Sequence, residues 1–336
     1  MIDPAAPPTS DPIAELLTTY NELNSSSIDE LTEIPSPLEF MRYVSRNRPF
    51  VVRGGASDWK ATRTWSVDVL KERMAGMRVN VAITPKGTVP CALRRGGGGE
   101  GGSADRIRNA DAPVKSEDGE MLLVKPWEEE QDFAQFMDFV IRQEGSGEMN
   151  GENITSSAVS TNPSAENDNL RNEYSELFTD VDPSIPFARI ALQKAPEAIN
   201  LWIGNSHSVT ALHKDNYENI YVQIIGQKHF VLLPPLAYAC VNEREMGPAS
   251  YVRGEGKGEL LVKREDGGRV PFALWDPDGL GGEGTRYSGL ARPVRVSLGK
   301  GDMLYLPALW HDMEFGGSFY PFCGFARNVA LGAVVD

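Results

Sequence analysis

The sequence predicts a mainly β chain with flanking helices, its strands closing as an antiparallel barrel or sandwich. From about residue 185, short runs such as "FARIALQ", "INLWIG", "NIYVQIIG", "KHFVLLPP" and "RPVRVSLGKGDMLYLPALW" are separated by Gly, Pro and Asn turns. That is the pattern of an all-β barrel or sandwich. Upstream, apolar residues recur at helical spacing in several segments instead.

Taken in order, residues 11 to 24 read as a helix. Asp11 is placed to cap it, Pro12 sits in its first turn, and Ile13, Leu16, Leu17 and Tyr20 recur at helical spacing. "SPLEFMRYVSRNRP" repeats that logic, "PFVVRGGASDW" is a short strand ended by glycines, and "WSVDVLKERM" is a further amphipathic helix. "VNVAITPKG" is a strand closing in a turn. The tract 94–120 is dense in glycine and charge and reads as a flexible insertion. "WEEEQDFAQFMDFVIRQ" (127–143) restores a helix with Phe133, Phe136, Met137 and Val140 on one side. A second insertion, 145–169, is polar and poorly suited to a core. The expected organisation is a helical extension over 1–32 and one domain over 33–336 with its core at 185–312. The apolar, Gly-containing tail after "HDMEF" is ambiguous between helix and strand.

With 336 residues, 41% of them hydrophobic, the chain can bury one large core or two modest ones. No apolar run approaches a membrane span, and the acidic, Pro-rich N-terminus does not read as a signal peptide. An intracellular protein, cytoplasmic or nuclear, is expected. The net charge of −14 argues against a nucleic-acid partner and is compatible with a basic protein substrate. Cys91, Cys240 and Cys323 are too few and scattered for a disulfide framework or thiolate metal site.

The segment "TALHKDNYENIYVQIIGQKHFVLLPP" (210–235) carries chemistry. Residues two apart on a strand share a face, so His213 and Asp215 present an imidazole and a carboxylate together. A third ligand from another strand would complete a two-histidine, one-carboxylate face for iron(II). The plain alternative is a hydrogen-bonded core histidine beside a turn aspartate. Of the other three histidines, His207 lies in a turn, while His229 and Lys228 are adjacent on a strand, so one of them faces the interior. His311 follows "GDMLYLPALW" and is the expected third ligand. A buried Lys228 would require an anion, for instance the far carboxylate of a small metal-chelating dicarboxylate, with Thr210 and Asn219 adding neutral hydrogen bonds. A strand lysine with its stem packed on the sheet is the plain alternative.

The same segment, with "NRPFVVRGG" upstream and "GDMLYLPALW" downstream, resembles the jumonji-C oxygenases. "EIPSPLEFMRYVSRNRPFVVRG", "VNVAITPKG" and "INLWIGNSHSVTALHKDNYEN" are similar more closely to the jumonji-C domain-containing protein 7 family. The resemblance implies a double-stranded β-helix (cupin jelly roll) and an iron(II)- and 2-oxoglutarate-dependent dioxygenase. It implies hydroxylation of a protein lysine, as on translation-associated GTPases, or peptidase action on modified histone tails. By position, His213 and Asp215 match metal ligands, Lys228 and Thr210 match partners of the distal oxoglutarate carboxylate, and Asn219 falls on a co-substrate-pocket position. After "LPALW" the chain departs from the family, with about two short strands and a turn missing. This leaves two alternatives open, a barrel complete or incomplete at its last strand, and His311 as the third ligand or as a replacement for the tyrosine before "DMEF". A catalytically impaired cupin-like binding protein is the alternative to an enzyme. A homodimer through the apolar tail and a tail buried within one chain are equally compatible.

Overall fold

In a computed structural model, the structure describes residues 11–84, 111–146, 153–156, 168–206, 208–254, 260–279, 283–316 and 322–330. His207 and the glycine run at 96–102 lie outside them.

Eight strands form the centre: β1 (Ala198–Gly204), β2 (Val209–Lys214), β3 (Tyr217–Ile225), β4 (Lys228–Leu233), β5 (Val294–Leu298), β6 (Met303–Leu306), β7 (His311–Gly316) and β8 (Phe322–Ala330). They are shared between two antiparallel sheets. One runs β6-β3-β8-β1 and is extended beyond β6 by Phe50–Val52 and Asp29–Leu31; the other runs β5-β4-β7-β2. Because the chain crosses between sheets at most turns, the result is a double-stranded β-helix.

The punctuation seen in the sequence makes these turns. Gly226 (φ 73°) joins β3 to β4. Gly301 (φ 89°) joins β5 to β6, donating to the Gln223 carbonyl at 2.8 Å and accepting from Ala56 N–H at 2.8 Å. A Cβ there would stand 2.7 Å from Ser57 Oγ, so both the φ and the close approach call for glycine. Next to it, Asp302 accepts from Gly54 N–H (2.9 Å), Gly299 N–H (3.0 Å) and the Arg53 guanidinium (2.7 Å). These bonds tie the strand Phe50–Val52 to the barrel.

Of the two alternatives left open by the sequence, the last strand is present. β8 lies between β3 and β1, its backbone paired from Tyr217↔Ala330 and from Phe322↔Gly204. The ambiguous tail supplies it, and so completes the backbone pairing that an open barrel would leave unmet.

Helix Pro12–Leu23 forms with Asp11 accepting from Ile13 and Ala14 N–H. Of its expected apolar face only Leu17 is buried, packed under the β2–β4–β7 sheet. Helix Pro37–Arg46 begins in a capping box of Ser36 and Glu39. Its Phe40 meets Tyr305 of β6 edge-on at 4.9 Å between ring centroids.

Other expectations need correction. "FARIALQ" is a helix, Pro186–Leu192, because Pro186 is preorganised for a first helical turn and no turn residue interrupts it. The barrel therefore begins at β1 rather than at residue 185. Residues 127–132 form a strand paired with Arg78–Thr84, and the helix is Phe133–Ser146, opened by Asp132 accepting from Gln135 N–H. Its Phe133, Phe136, Met137 and Val140 are buried as expected.

Within 94–120, residues 112–115 pair with Met121–Lys125 in a hairpin turned at Gly119, which continues into strand Glu243–Arg253. Within 145–169, residues 153–156 form a strand, and Asp168 and Asn169 are buried. These two side chains bind the outer edge of β1, accepting from Ile199 N–H and Leu201 N–H at 2.7 Å each. Polar composition hid this role, since they pair the backbone of an edge strand through side-chain oxygens.

Candidate functional site

Strand β2 carries an irregularity against β7. Asp312 lies opposite His213 and Glu314 opposite Thr210, so Ala211 and Leu212 together face the single residue Met313. Val209, Leu212 and Met313 pack into the outer apolar cluster with Val231 and Leu233. Thr210, His213, Asp312 and Glu314 are left together on the other, interior face. Tyr221, Phe230, Leu232, Leu304 and Leu306 form the apolar part of that interior, with half-buried Trp202 against it.

His213 is half-buried, with Nδ1 3.0 Å from the Ala211 carbonyl oxygen. Burial by itself would lower its pKa. The carboxylates of Asp312, Asp215 and Glu314 outweigh that and lift it to about 9. Asp215 lies just past the end of β2. Its carbonyl accepts from Leu309 N–H (2.8 Å) and its carboxylate from Asn219 Nδ2 (3.3 Å). Asn219 Oδ1 is buried and has no hydrogen-bond partner, which leaves an acceptor beside Asp215 for a ligand or water. Asp312 is buried, and its carboxyl is raised by that burial and by its hydrogen-bonded neighbour Glu314, against the lowering pull of His213.

Lys228, on β4, points inward. Its side chain is 4% exposed and ion-paired with Glu314, and Nζ lies 4.7 Å from the Tyr221 ring centroid and 5.4 Å from that of Phe230. His229 takes the opposite side, 2.7 Å from Ser297 Oγ and stacked near Phe315. The either-or choice between these neighbours thus falls to the lysine.

His311 does not join this group. It pairs with Lys214 across the ladder, one residue out of step with Asp312 and His213, and so faces the outer side. There it is 1% exposed, neither ring nitrogen has a hydrogen-bond partner, and the nearest carboxylate, Glu243, is 3.9 Å away and already paired with Lys214. Burial, aided by the Lys214 ammonium, lowers its pKa to about 4.

The fit to an iron centre can be judged from these placements. His213 and Asp215 supply one imidazole and one carboxylate, but the place across from His213 is held by Asp312 instead of a second histidine. Among the described residues no three His, Cys, Asp or Glu side chains gather closely enough to hold a metal ion. The expected two-histidine, one-carboxylate set therefore does not fit these residues. Asp312 and Glu314 were missed from the sequence. The alternation in "DMEF", two acids on one face against Met313 and Phe315 on the other, is the signal that would have found them.

Comparison with known proteins agrees with the barrel. The model of the cupin-like domain family matches residues 35–313. The chain is 30% identical over 287 residues to the bifunctional peptidase and (3S)-lysyl hydroxylase JMJD7 of Homo sapiens, covering 84% of this chain and 78% of that protein. It is 29% identical over 296 residues to JmjC domain-containing protein E of Dictyostelium discoideum (84% and 76% covered). It is 28% identical over 309 residues to the lysine-specific demethylase JMJ32 of Arabidopsis thaliana (89% and 80% covered). With an eight-stranded double-stranded β-helix and a family match over most of its length, this chain belongs to the cupin-like JmjC-domain family.

Proposed function

We propose that this chain is a 2-oxoglutarate-dependent protein hydroxylase acting on a lysine presented by a protein partner, with dioxygen as co-substrate. The observation that carries this is the position of Lys228, a buried cation on the same barrel interior as His213. Its ammonium is paired with Glu314 in this structure, and a dicarboxylate reaching toward His213 and Asp215 would take up the same cation in exchange. The family usually uses iron(II) and 2-oxoglutarate. Of the expected iron set only His213 and Asp215 lie near each other here, and among the described residues no second histidine reaches their face. Lysine as the target rests on the relatives, one named a lysyl hydroxylase and another a lysine-specific demethylase. The net charge of −14 suits a basic partner, and a translation-associated GTPase is a partner to try first. A cytoplasmic or nuclear location goes with that reading. Among the described residues no helix is long and apolar enough to cross a membrane.

The test is to incubate the protein with iron(II), 2-oxoglutarate, oxygen and lysine-bearing protein or peptide, reading succinate and the gain of one oxygen atom by mass spectrometry. Product dependent on all components supports the proposal, and its absence across basic substrates rejects it. Cleavage that persists without oxygen and 2-oxoglutarate would mark a peptidase instead, the activity that also stands in the human relative's name.

A second reading is favoured by two specific observations: His311 faces away, and Lys228 is already paired with Glu314. A barrel so arranged would bind a protein partner without turnover. Complex formation with the lysine-bearing partner in the absence of any succinate would support it.

A further inference from the structure

Lys228 is the one lysine or arginine among the described residues that is fully buried, and the chain provides its counter-ion. Glu314 stands on β7 between Thr210 of β2 and Phe230 of β4. Its carboxylate is paired with the lysine, so an external carboxylate approaching that ammonium would meet it first. The pair is not symmetric: the lysine side chain is 4% exposed and the glutamate 18%. Asp312, two residues back on the same face, is buried beside it. A charge pair in this setting holds firmly, because the ammonium is buried against the Tyr221 and Phe230 rings and separating the charges there is costly. The partial exposure of Glu314 gives it a way out, since its carboxylate can rotate toward water when another takes its place.

We propose that Glu314 is an internal occupant of the barrel's anion position, so that a dicarboxylate enters only by displacing it. This rests on the reading of the barrel as an oxygenase pocket. The exchange is of one carboxylate for another at the same ammonium, with no covalent change. It makes the folded chain a latent form, held against its co-substrate by its own side chain.

The experiment is calorimetric titration of 2-oxoglutarate into the full chain, without added metal. Wild type, Glu314→Gln and the double variant Lys228→Met/Glu314→Gln are compared, with circular dichroism as the folding control. The expected result is weak binding by wild type, binding tighter by about tenfold or more in Glu314→Gln, and loss of that gain in the double variant. Equal affinity in wild type and Glu314→Gln overturns the proposal, as does a folded Glu314→Gln that binds no dicarboxylate. If Glu314→Gln does not fold, the Tm of Glu314→Ala is followed with added glutarate. A ligand-dependent rise larger than that of wild type supports the proposal, and equal rises overturn it. The readout is binding, so it separates from the proposed activity. Tight binding by Glu314→Gln without any hydroxylated product removes the hydroxylase reading and leaves this one standing.

Discussion

Asp312 lies directly across the β2–β7 ladder from His213, while His311, its neighbour in sequence, lies across from Lys214 on the other side of the sheet. One step along a strand thus decides which side chain the barrel interior receives. On this register His213 and His311 fall on opposite faces of the sheet.

The relationship predicts a gain of function in metal binding. Asp312→His would set a second imidazole beside His213, and retention of iron(II) or cobalt(II), measured by elemental analysis after desalting, should rise by about tenfold or more. His311→Ala should leave metal retention unchanged. If His311→Ala loses metal and Asp312→His gains none, the register does not describe the site.

The outward His311 has its own consequence for acid stability. Its ordinary pKa of 6.5 is lowered to about 4 in the folded chain by burial and by Lys214. A depressed folded pKa means the unfolded chain takes up a proton that the folded chain refuses. Stability from this group is thus complete above about 6.5 and falls as pH drops toward about 4, by about 3 kcal/mol in all. His311→Leu should remove that slope. Urea titrations of both proteins across this range test it, and curves that stay parallel would show that His311 is not the acid-sensitive group.

Much of the barrel was legible because its strands are short and its turns are marked. Gly226 and Gly301 stand where the backbone takes a positive φ, and the helices at Pro12 and Pro37 announce themselves by cap and proline. His213, Asp215, Asn219 and Lys228 could be singled out because they fall in one continuous stretch. What was not legible depends on partners distant in the chain. "FARIALQ" suits a strand or a helix until its neighbours are known, and "WEEEQD" becomes a strand only by pairing with Arg78–Thr84. The irregularity at Ala211 and Leu212 sets the register of β7, and with it the inward turn of Glu314 and the outward turn of His311. No local pattern in β2 reports it.

Gly301 gives a test of the turn that carries β5 into β6. Gly301→Ala places a Cβ at a φ of 89° and 2.7 Å from Ser57 Oγ, and should destabilise the fold by about 1–3 kcal/mol. Ser57→Ala in the same background removes the contact but not the backbone strain, so it should restore part of the loss. Full restoration would mean that crowding alone, and not the left-handed backbone, demands glycine. No loss in the single variant would mean that the turn relaxes freely.

The Lys228–Glu314 pair can be weighed by a double-mutant cycle that needs no ligand. Lys228→Met leaves Glu314 and Asp312 facing each other beside His213 without the ammonium, and should destabilise the chain by about 3 kcal/mol, in the range for breaking a buried ion pair. Glu314→Leu should do the same by taking away the carboxylate paired with a lysine packed against Tyr221 and Phe230. Removing both charges leaves neither group uncompensated, so Lys228→Met/Glu314→Leu should lie closer to wild type than either single variant. Denaturant midpoints and slopes for the four proteins give the coupling energy. Strictly additive losses would mean that the two side chains do not depend on each other, and the ion pair would then have no hold on the barrel interior.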